Sequence, residues 1–354
     1  MTKRAERIDY NAVEYRPEIP VKIAVLFGGE SMERDVSVAS ASQVVRALRA
    51  RGHEVVAVDA VRGVLPPAEE KALLTGRVER APPEKAADRL SLPVVASRTD
   101  LRDADLVFLA LHGGTGEDGT VQAVLDLAGI VYTGSGRIGS ALGMDKDVAK
   151  RLFLAAGVPT PDWLMAPAST DAVAERLGFP VIVKPNGQGS TVGLTLVERP
   201  EDLQNAVDEA GRFDDAVMIE RYIAGRELTV GILDGEPLAV GEIVPRLSPI
   251  FDYASKYQAG GADEIFPADL THEQTRRVQE LGLAAHRALK LECYSRADFR
   301  MDADGGLWCL EMNTLPGLTS GSLLPRSAAA VGISFEELCE RICVAALKKR
   351  GGGR

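Results

Sequence analysis

Cysteine is scarce in this sequence, and a long apolar run and a net positive charge are both absent. Four cysteines in 354 residues make no disulfide framework, and none has the CxxC spacing of a zinc site. No apolar run approaches the roughly 20 residues of a membrane span, and residues 1–20 lack the apolar core of a signal peptide. The net charge of −10 argues against nonspecific binding of nucleic acids or anionic membranes. We therefore expect a soluble, cytoplasmic protein with neither kind of partner.

The remaining composition is typical of a large globular protein. With 45% hydrophobic content, the chain can bury large cores and should hold two or three domains. Residues 21–27 are an apolar run before a Gly-Gly turn, residues 37–51 have a helical pattern, and residues 54–60 have a strand pattern. This order predicts an α/β unit with a parallel sheet. The dinucleotide fingerprint GxGxxG is absent, which disfavours a dehydrogenase.

A second predicted strand ends in a polar, glycine-rich segment. Residues 106–111 are apolar and lead directly into HGGTGEDGT at 112–120. Ligands of open α/β sheets bind at such carboxyl ends of strands. We therefore interpret His112 as a functional residue rather than a structural one.

A third glycine-rich segment follows the predicted strand at 181–185, which contains Lys184. The glycines and hydroxyls of residues 186–193 allow a loop to fold closely over phosphate, and Lys184 supplies a positive charge. The lysine precedes the loop, so this is not a P-loop. An ordinary flexible loop is the alternative reading.

Two weaker signals complete the pattern. Glu220 ends a short apolar strand, where an acid can hold an adenine amine or a ribose hydroxyl. Lys256 and Tyr257 precede a Gly/Ala loop, which predicts a lid that closes over phosphates and expels water. Read by itself, this second segment slightly favours an ordinary solvated loop.

The most informative pattern is a predicted hairpin at residues 296–313. Polar and apolar residues alternate on both sides of the turn sequence DADGG. If the hairpin closes symmetrically, Asp302 pairs with Leu307. The second strand then has an apolar face made of Trp308, Leu310 and Met312.

The same pairing sets Asp298 opposite Glu311, with Asn313 diagonally beside them. Directly opposed side chains lie roughly 5 Å apart at Cβ, and two carboxylates at that distance repel. Carboxylate and amide oxygens are ligands that suit a hard cation such as Mg²⁺, which would remove the repulsion. The sequence therefore predicts a metal site here, with an exposed hairpin of solvated acids as the alternative.

Several motifs follow one another along residues 21–345 in a fixed order. They are GGESMERDVS at 28–37, HGGTGEDGTVQ at 112–122, MDK at 144–146, VKPNGQGSTVG at 183–193, IERYIAGRELTV at 219–230, DYASKY at 252–257, RADF at 296–299 and EMNTLPGLTSGSL at 311–323. Together they resemble the D-alanine–D-alanine ligases of the ATP-grasp superfamily.

The resemblance implies a mixed α/β and α+β fold, with ATP held between the last two of three domains. The implied parts are an N-terminal extension at 1–20, a parallel-sheet α/β domain at 21–145, a central ATP-grasp domain at 146–225, a C-terminal ATP-grasp domain at 226–348 and a disordered tail at 349–354. The implied activity joins two D-alanine molecules through an acyl phosphate, releasing ADP and phosphate, for peptidoglycan precursor synthesis. A homodimer is also implied.

Motif positions carry the family's site residues onto this chain. The nucleotide would be held by Lys146, Lys184, Glu220, Tyr222, Ile223, Glu227 and Lys256. Two Mg²⁺ or Mn²⁺ ions would be held by Asp298, Glu311 and Asn313. The D-alanine sites would be lined by Glu33, His112, Ser190, Tyr257, Arg296, Gly317, Ser322 and Leu323. Of these, the residues with an implied catalytic role are Glu33, Ser190, Tyr257, Arg296, Gly317 and Ser322.

Three alternatives stay open at this stage. Relatives that make D-Ala–D-lactate or D-Ala–D-serine differ in the lid, where Tyr257 after Lys256 matches the D-Ala–D-Ala pattern. A ligase of other amino acids is a further alternative. An inactive nucleotide-binding module would be expected to lose its metal ligands, yet Asp298, Glu311 and Asn313 are all present.

Overall fold

The computed structural model describes residues 20–74, 98–246 and 260–351. Within these ranges the strands form three sheets that follow one another along the chain. The helices of the same ranges, in chain order, are α1 (Arg34–Ala50), α2 (Pro67–Leu73), α3 (Thr99–Arg102), α4 (Thr120–Ala128), α5 (Arg137–Met144), α6 (Lys146–Ala155), α7 (Thr170–Arg176), α8 (Leu203–Ala210), α9 (His272–Ala288), α10 (Leu323–Ala329) and α11 (Phe335–Gly351), with 3-10 turns at Gly114–Gly116 and Pro200–Asp202. None of them is both long and apolar enough to cross a bilayer.

The first sheet has the order β3-β2-β1-β4. Its strands are β1 (Lys22–Phe27), β2 (Glu54–Asp59), β3 (Gly63–Val64) and β4 (Leu106–Leu109). Strands β2, β1 and β4 run parallel, and the short edge strand β3 is antiparallel. The apolar side chains of β1 are buried on both faces, as a parallel sheet covered by helices requires. The predicted α/β unit is therefore confirmed.

The second sheet is antiparallel and has the order β5-β8-β6-β7. Its strands are β5 (Trp163–Met165), β6 (Val181–Pro185), β7 (Thr195–Val197) and β8 (Val217–Arg221). Helices α7 and α8 bury Val173, Leu203 and Ala206 in the core of this sheet. The sheet therefore has a small core of its own.

The third sheet is also antiparallel and has the order β11-β10-β9-β12-β13. Its strands are β9 (Arg226–Leu233), β10 (Glu236–Pro245), β11 (Ala262–Ile265), β12 (Tyr294–Met301) and β13 (Leu307–Asn313). Helix α9 covers one face and begins at a capping box, in which Thr271 and Gln274 satisfy each other's backbone N–H groups. The predicted mixed α/β and α+β class is confirmed.

Helix α6 lies between two of these cores. Asp145 caps it by accepting the Val148 N–H at 3.0 Å. Its apolar residues Ala149 and Phe153 pack in the core of the third sheet rather than the second. The domain boundary at residue 146 stays a prediction, and α6 packs with the third sheet.

Helix α11 returns to the first sheet. Its residues Leu338 and Ile342 share one core with β1 and β4. Beside them, His53 Nε2 lies 2.7 Å from Glu340 Oε2, and both side chains are 3% exposed. The first core is therefore built from both ends of the described chain.

The end of α11 corrects one prediction. The prediction of a disordered tail from residue 349 is wrong for residues 349–351, because the helix includes them. Lys348 pairs with Asp234 at 2.9 Å, and Lys349 pairs with Glu292. Cations near the last turn also interact favourably with the helix dipole. These contacts extend the helix past the predicted end.

The β12–β13 hairpin contains one of the predicted residue pairs, but its turn differs from the prediction. Asp298 pairs with Glu311, but the turn begins with Met301 opposite Leu307, so the predicted pairing of Asp302 with Leu307 is wrong. The Asp302 side chain accepts backbone N–H groups within the turn, which keeps this residue out of the strand. A one-residue bulge in β13 then restores the predicted register.

The bulge also changes the faces of β13. Cys309 and Met312 are buried in the core, whereas Trp308 and Leu310 are only partly buried on other faces. Trp308 Nε1 instead donates to Asp302 at 2.8 Å. The predicted apolar face of Trp308, Leu310 and Met312 is therefore wrong for its first two members, because an extra residue inverts the alternation.

The cysteines are packing residues. All four are free thiols and all are buried. Burial raises the pKa of Cys293 to about 11 and that of Cys343 well above its ordinary value. Each thiol therefore stays protonated and unreactive near neutral pH.

His286 gives the fold a dependence on acid. Its Nδ1 lies 2.7 Å from Ser295 Oγ, and burial, reinforced by Arg287, lowers its pKa from 6.5 to about 4. Between these values the unfolded chain binds the proton and the folded protein does not. Stability is therefore retained above pH 6.5 and lost as the pH falls to about 4, by roughly 3 kcal/mol for this group.

We expect His286→Gln to reduce this acid sensitivity. Urea unfolding at pH 7 and pH 4 should show a smaller loss in the variant, by about 3 kcal/mol. His272→Gln, at the exposed start of the same helix, should behave like the wild type. Equal losses in all three proteins would contradict the assignment to His286.

Candidate active site

A cleft of about 900 Å³ lies between the second and third sheets. We call it the lysine cleft, since Lys146 from α6 and Lys184 from β6 line it. All described residues predicted to bind a nucleotide line this cleft: Lys146, Lys184, Glu220, Tyr222, Ile223 and Glu227. Lys256 lies outside the described residues. The cleft therefore brings together these six predicted residues, which span 81 positions of the sequence.

Glu220 is clamped between two lysines at the inner end of the cleft. Lys184 Nζ donates to Glu220 Oε2 at 2.8 Å, and Lys150 Nζ donates to Oε1 at 2.6 Å. Burial alone would raise the pKa of Glu220, but Lys150 and Lys184 together lower it below its ordinary value. Burial lowers the pKa of Lys150, which the Glu220 carboxylate opposes. The carboxylate is therefore ionised and hydrogen-bonded at both oxygens.

Lys146 lies at the other side of the cleft. Its Nζ donates to the backbone carbonyl of Gln188 at 2.6 Å and lies 3.5 Å from Glu311 Oε2. Gln188 belongs to the loop at 186–193, so this lysine links that loop to β13. A cation at this position faces the predicted metal site.

The outer wall of the cleft is fixed by Arg300 from β12. Its guanidinium donates to the carbonyls of Ile223 and Gly225 at 3.0 and 2.9 Å, and it lies 5.5 Å from the Tyr222 ring centre. A weaker contact of 3.4 Å reaches Glu227. One arginine therefore holds the segment between β8 and β9 that supplies two predicted nucleotide residues, Tyr222 and Ile223.

A second cavity, of about 1080 Å³, adjoins the lysine cleft. We call it the arginine cavity, because Arg296 lines it. All described residues predicted to bind D-alanine line this cavity: Glu33, His112, Ser190, Arg296, Gly317, Ser322 and Leu323. Gly189 lines both spaces, so they are neighbours. Tyr257 lies outside the described residues.

Asp298 lies where the two spaces meet. Arg296 donates to both of its oxygens, from Nε at 2.9 Å and from Nη2 at 2.8 Å. Thr229 and Asn313 add further hydrogen bonds at 2.7 and 2.9 Å. The register of β12 with β13 puts Asp298, Glu311 and Asn313 on one face of the sheet. This face was predicted from strand alternation.

The donor set fits a hard cation in its chemistry. Asp298, Glu311 and Asn313 offer two carboxylates and an amide, which are oxygen ligands that Mg²⁺ and Mn²⁺ accept. Among the described residues, no group of three His, Cys, Asp or Glu side chains is arranged to hold a metal, and the third donor here is an amide. Arg296 and Lys146 already hold the two carboxylates, so a cation would share them with these side chains.

Glu33 reaches the arginine cavity from the loop before α1. Ser190 Oγ donates a hydrogen bond to it, which joins the first sheet to the loop of the second. Gly113 packs against the same carboxylate, since an added Cβ would lie 2.6 Å from Glu33 Oε2. Gly113 N–H donates to Glu117 at 2.7 Å, so two carboxylates flank one glycine. Burial and then the Glu33 charge raise the pKa of Glu117 to about 8.

His112 holds the loop that lines the far side of the cavity. Its Nε2 lies 3.1 Å from Ser40 Oγ, and Ser40 Oγ accepts the Leu318 N–H at 3.2 Å. Burial lowers the pKa of His112 to about 4, although a backbone hydrogen bond with Leu315 opposes this. The ring is therefore neutral at physiological pH and orients the loop through hydrogen bonds.

Three predicted residues lie at or before the start of α10: Gly317, Ser322 and Leu323. Ser322 caps α10 and Leu323 begins it, and N–H groups of a first helical turn have no acceptor within the helix. Gly317 lies against Ser322, with an added Cβ 3.1 Å from its Oγ. Ser190 and Thr191 have backbone φ angles of 49° and 62°. Residues other than glycine rarely adopt such angles, and those that do cluster at functional sites. These features suit a site that binds anions through backbone N–H groups.

Sequence reasoning missed Lys150, Arg300 and Glu117. Lys150 lies one helical turn after Lys146, and Arg300 lies two strand positions after Asp298 on the same face. Glu117 stands inside the segment 112–120, which was already singled out. Their positions were visible in the sequence, but their burial and partners were not.

Comparisons with known proteins agree with this geometry. Two family models match, "D-ala D-ala ligase N-terminus" over residues 22–135 and "D-ala D-ala ligase C-terminus" over residues 152–344. The D-alanine–D-alanine ligase of Geobacter sulfurreducens is 44% identical over 94% of this chain and 96% of its own.

Solved structures give the same result. The D-alanine–D-alanine ligase of Bacillus anthracis complexed with ATP has a TM-score of 0.76 at 30% identity, covering 94% of this chain and all of its own. The VanG D-Ala:D-Ser ligase of Enterococcus faecalis has a TM-score of 0.78 at 30% identity, covering 93% of this chain and all of its own. The chain belongs to the D-alanine–D-alanine ligase family.

Proposed function

We propose that this protein joins two D-alanine molecules at the expense of ATP, giving D-alanyl-D-alanine, ADP and phosphate. The observation that carries the proposal is that the lysine cleft adjoins the arginine cavity, with Asp298 of the cleft hydrogen-bonded to Arg296 and Asn313 of the cavity. Every described residue of the nucleotide set lines the first space, and every described residue of the D-alanine set lines the second. A nucleotide phosphate in one space would therefore lie beside an amino acid in the other.

The chemistry needs this proximity, because a free carboxylate is a poor acyl donor. In the proposed first step, the carboxylate of one D-alanine attacks the γ-phosphate of ATP, giving an acyl phosphate and ADP. In the second step, the amine of another D-alanine attacks the acyl carbon, phosphate leaves, and the nitrogen loses a proton. Transfer of this kind depends mainly on alignment and charge neutralisation.

The lysines would neutralise the phosphates. Lys146 and Lys184 line the cleft from opposite sides, and Lys256 of the predicted lid would add a third charge. Asp298, Glu311 and Asn313 would hold two Mg²⁺ or Mn²⁺ ions. When bound, such ions offset phosphate charge and orient the oxygens for in-line transfer.

The arginine cavity would hold the amino acids. Glu33 would bind the ammonium of the first D-alanine, and the network of Glu33, Ser190 and Tyr257 would keep it in place. Arg296 and the Gly317 N–H would stabilise the oxyanion formed when the amine attacks. The Ser322 hydroxyl and Leu323 N–H would receive the carboxylate of the second D-alanine.

ADP release provides the test. Purified protein with Mg²⁺ and ATP should release ADP in the presence of D-alanine and not in the presence of L-alanine. D-serine and D-lactate, each added with a low concentration of D-alanine, test the two closest alternatives. The absence of ADP that depends on D-alanine, or a clear preference for another acceptor, would overturn the proposal.

The D-serine alternative has one observation behind it, the likeness to the D-Ala:D-Ser ligase. The higher identity to the Geobacter D-alanine–D-alanine ligase favours the main proposal. An inactive module is disfavoured as well, because the charged residues of both spaces are present and hydrogen-bonded. The proposal includes a cytoplasmic homodimer of three domains that serves peptidoglycan precursor synthesis.

Gly113 gives a prediction about the first D-alanine. Alanine at this position would press its Cβ against Glu33 and would strain a backbone with φ of 67°. We expect Gly113→Ala to raise the KM for D-alanine about tenfold while the KM for ATP stays unchanged. Steady-state kinetics with each substrate varied in turn gives both values.

Gly114→Ala is the matched control. Gly114 also has a positive φ, of 51°, but an added Cβ would lie 3.7 Å from its nearest neighbour, Ser31. The control should therefore cause a similar backbone strain, but its Cβ should not contact Glu33. If both variants raise the KM for D-alanine equally, the contact with Glu33 is not the cause.

A further inference from the structure

Lys150 is a buried charged residue to which neither the sequence motifs nor the proposed reaction gives a role. It is fully buried, and it is absent from the residues that line the lysine cleft. A ligand in the cleft would therefore not contact it. Any influence on the nucleotide has to act through its neighbours.

The surroundings of Lys150 are built for an ammonium ion. Its Nζ donates to Thr160 Oγ1 at 2.7 Å and to Glu220 Oε1 at 2.6 Å. The Thr160 hydroxyl donates a hydrogen bond to the Cys309 carbonyl at 2.7 Å, so its oxygen is the acceptor in the hydrogen bond with Lys150. The third side is the Trp163 ring, with its centre 5.1 Å from Nζ, a position that favours a cation.

The partners of Glu220 determine the charge that the cleft presents. Lys150 and Lys184 each take one oxygen of this carboxylate, so two positive charges face one negative charge. Glu220 and Lys184 alone would form a neutral pair. With Lys150 behind them, the group of three carries one net positive charge, and Lys184 is the cation that faces the cleft.

We propose that Lys150 is a positioning residue that balances the charge of Glu220, so that Lys184 retains its full positive charge for the phosphates of ATP. This inference rests on the proposed function. It differs from a purely structural role, in which Lys150 would only join α6 to β8 and β13. A structural role would affect the binding of every nucleotide or nucleoside equally.

The affinities for ATP and adenosine separate the two roles, because only ATP carries phosphates. We define the phosphate ratio as Kd for adenosine divided by Kd for ATP, both measured by calorimetry on the full chain. Lys150→Met should lower this ratio about thirtyfold, the effect of one unit charge roughly 8 Å away at an effective dielectric of about 20. Its affinity for adenosine should stay close to that of the wild type.

A double variant sharpens the test. Lys150→Met with Glu220→Gln removes one charge of each sign, so Lys184 again leaves a net charge of one. Its phosphate ratio should return to within about threefold of the wild type, even if adenosine binds more weakly without the carboxylate. This variant also decides the matter if Lys150→Met alone does not fold.

Arg151→Met is the matched control, since it removes a positive charge from the neighbouring, exposed position of α6. Its phosphate ratio should equal that of the wild type. The inference is overturned if Lys150→Met weakens ATP and adenosine equally, or if the double variant keeps a ratio tenfold below the wild type. Wild-type protein that binds no ATP would overturn the proposed function, and this inference with it.

Discussion

Turnover is expected to fall about a thousandfold when Glu311 is replaced by glutamine, while the fold stays intact. Glu311 faces Asp298 across the hairpin and lies 3.5 Å from Lys146, so its charge is shared between the proposed metal site and a lysine proposed to bind phosphate. Glutamine has nearly the same shape but no charge. The loss should therefore come from weaker charge neutralisation in the transition state.

The measurement is ADP release at saturating D-alanine, with the thermal transition followed in parallel. Asp304→Asn is the matched control, since it makes the same change at an exposed position in the turn of the same hairpin. The control should retain wild-type turnover. A Glu311→Gln variant with near-wild-type activity would remove this residue from the metal site.

The second large effect is expected for Arg296→Lys. Lysine keeps the charge but cannot donate to both oxygens of Asp298 in the geometry of a planar guanidinium. It also cannot reproduce the direction of the N–H groups towards an oxyanion in the arginine cavity. We expect turnover to fall about a hundredfold to a thousandfold.

The affinity for ATP distinguishes this effect from damage to the cleft. Arg296 lines the arginine cavity and not the lysine cleft, so the Kd for ATP should be unchanged. Arg246→Lys, which alters an exposed ion pair with Asp263 on the same sheet, should leave both values unchanged. Equal loss of ATP binding and turnover in Arg296→Lys would contradict an oxyanion role.

The facing pair of Asp298 and Glu311 could be predicted from the sequence because side-chain alternation has a period of two. The bulge that preserves this pair could not, because it depends on how the Asp302 carboxylate binds the backbone of its own turn. Alternation and the assumed symmetric closure therefore gave the correct pair together with an incorrect apolar face. The wrong pairing of Asp302 with Leu307 and the wrong apolar face of β13 therefore both result from this turn and its bulge.

For the site residues, too, some features could be predicted from the sequence and others could not. Motif order was enough to group the described residues that line each space, and the binding roles of these residues stay predictions. It gave no role to Lys150, because a lysine four residues after Lys146 can as easily be exposed as buried. Its place was decided by Thr160, Trp163 and Glu220, which all lie outside its own helix.

The packing of α11 on the first sheet has a consequence for how the chain is made. The strands of the first sheet are synthesised long before Leu338 and Ile342, which complete the core of that sheet. In the same way, His53 is synthesised 287 residues before its partner Glu340. A nascent chain that ends after residue 145 therefore lacks part of its first core and exposes apolar surface. The first sheet to be synthesised should thus be among the last parts of the molecule to gain full stability, and contacts this distant favour slow folding.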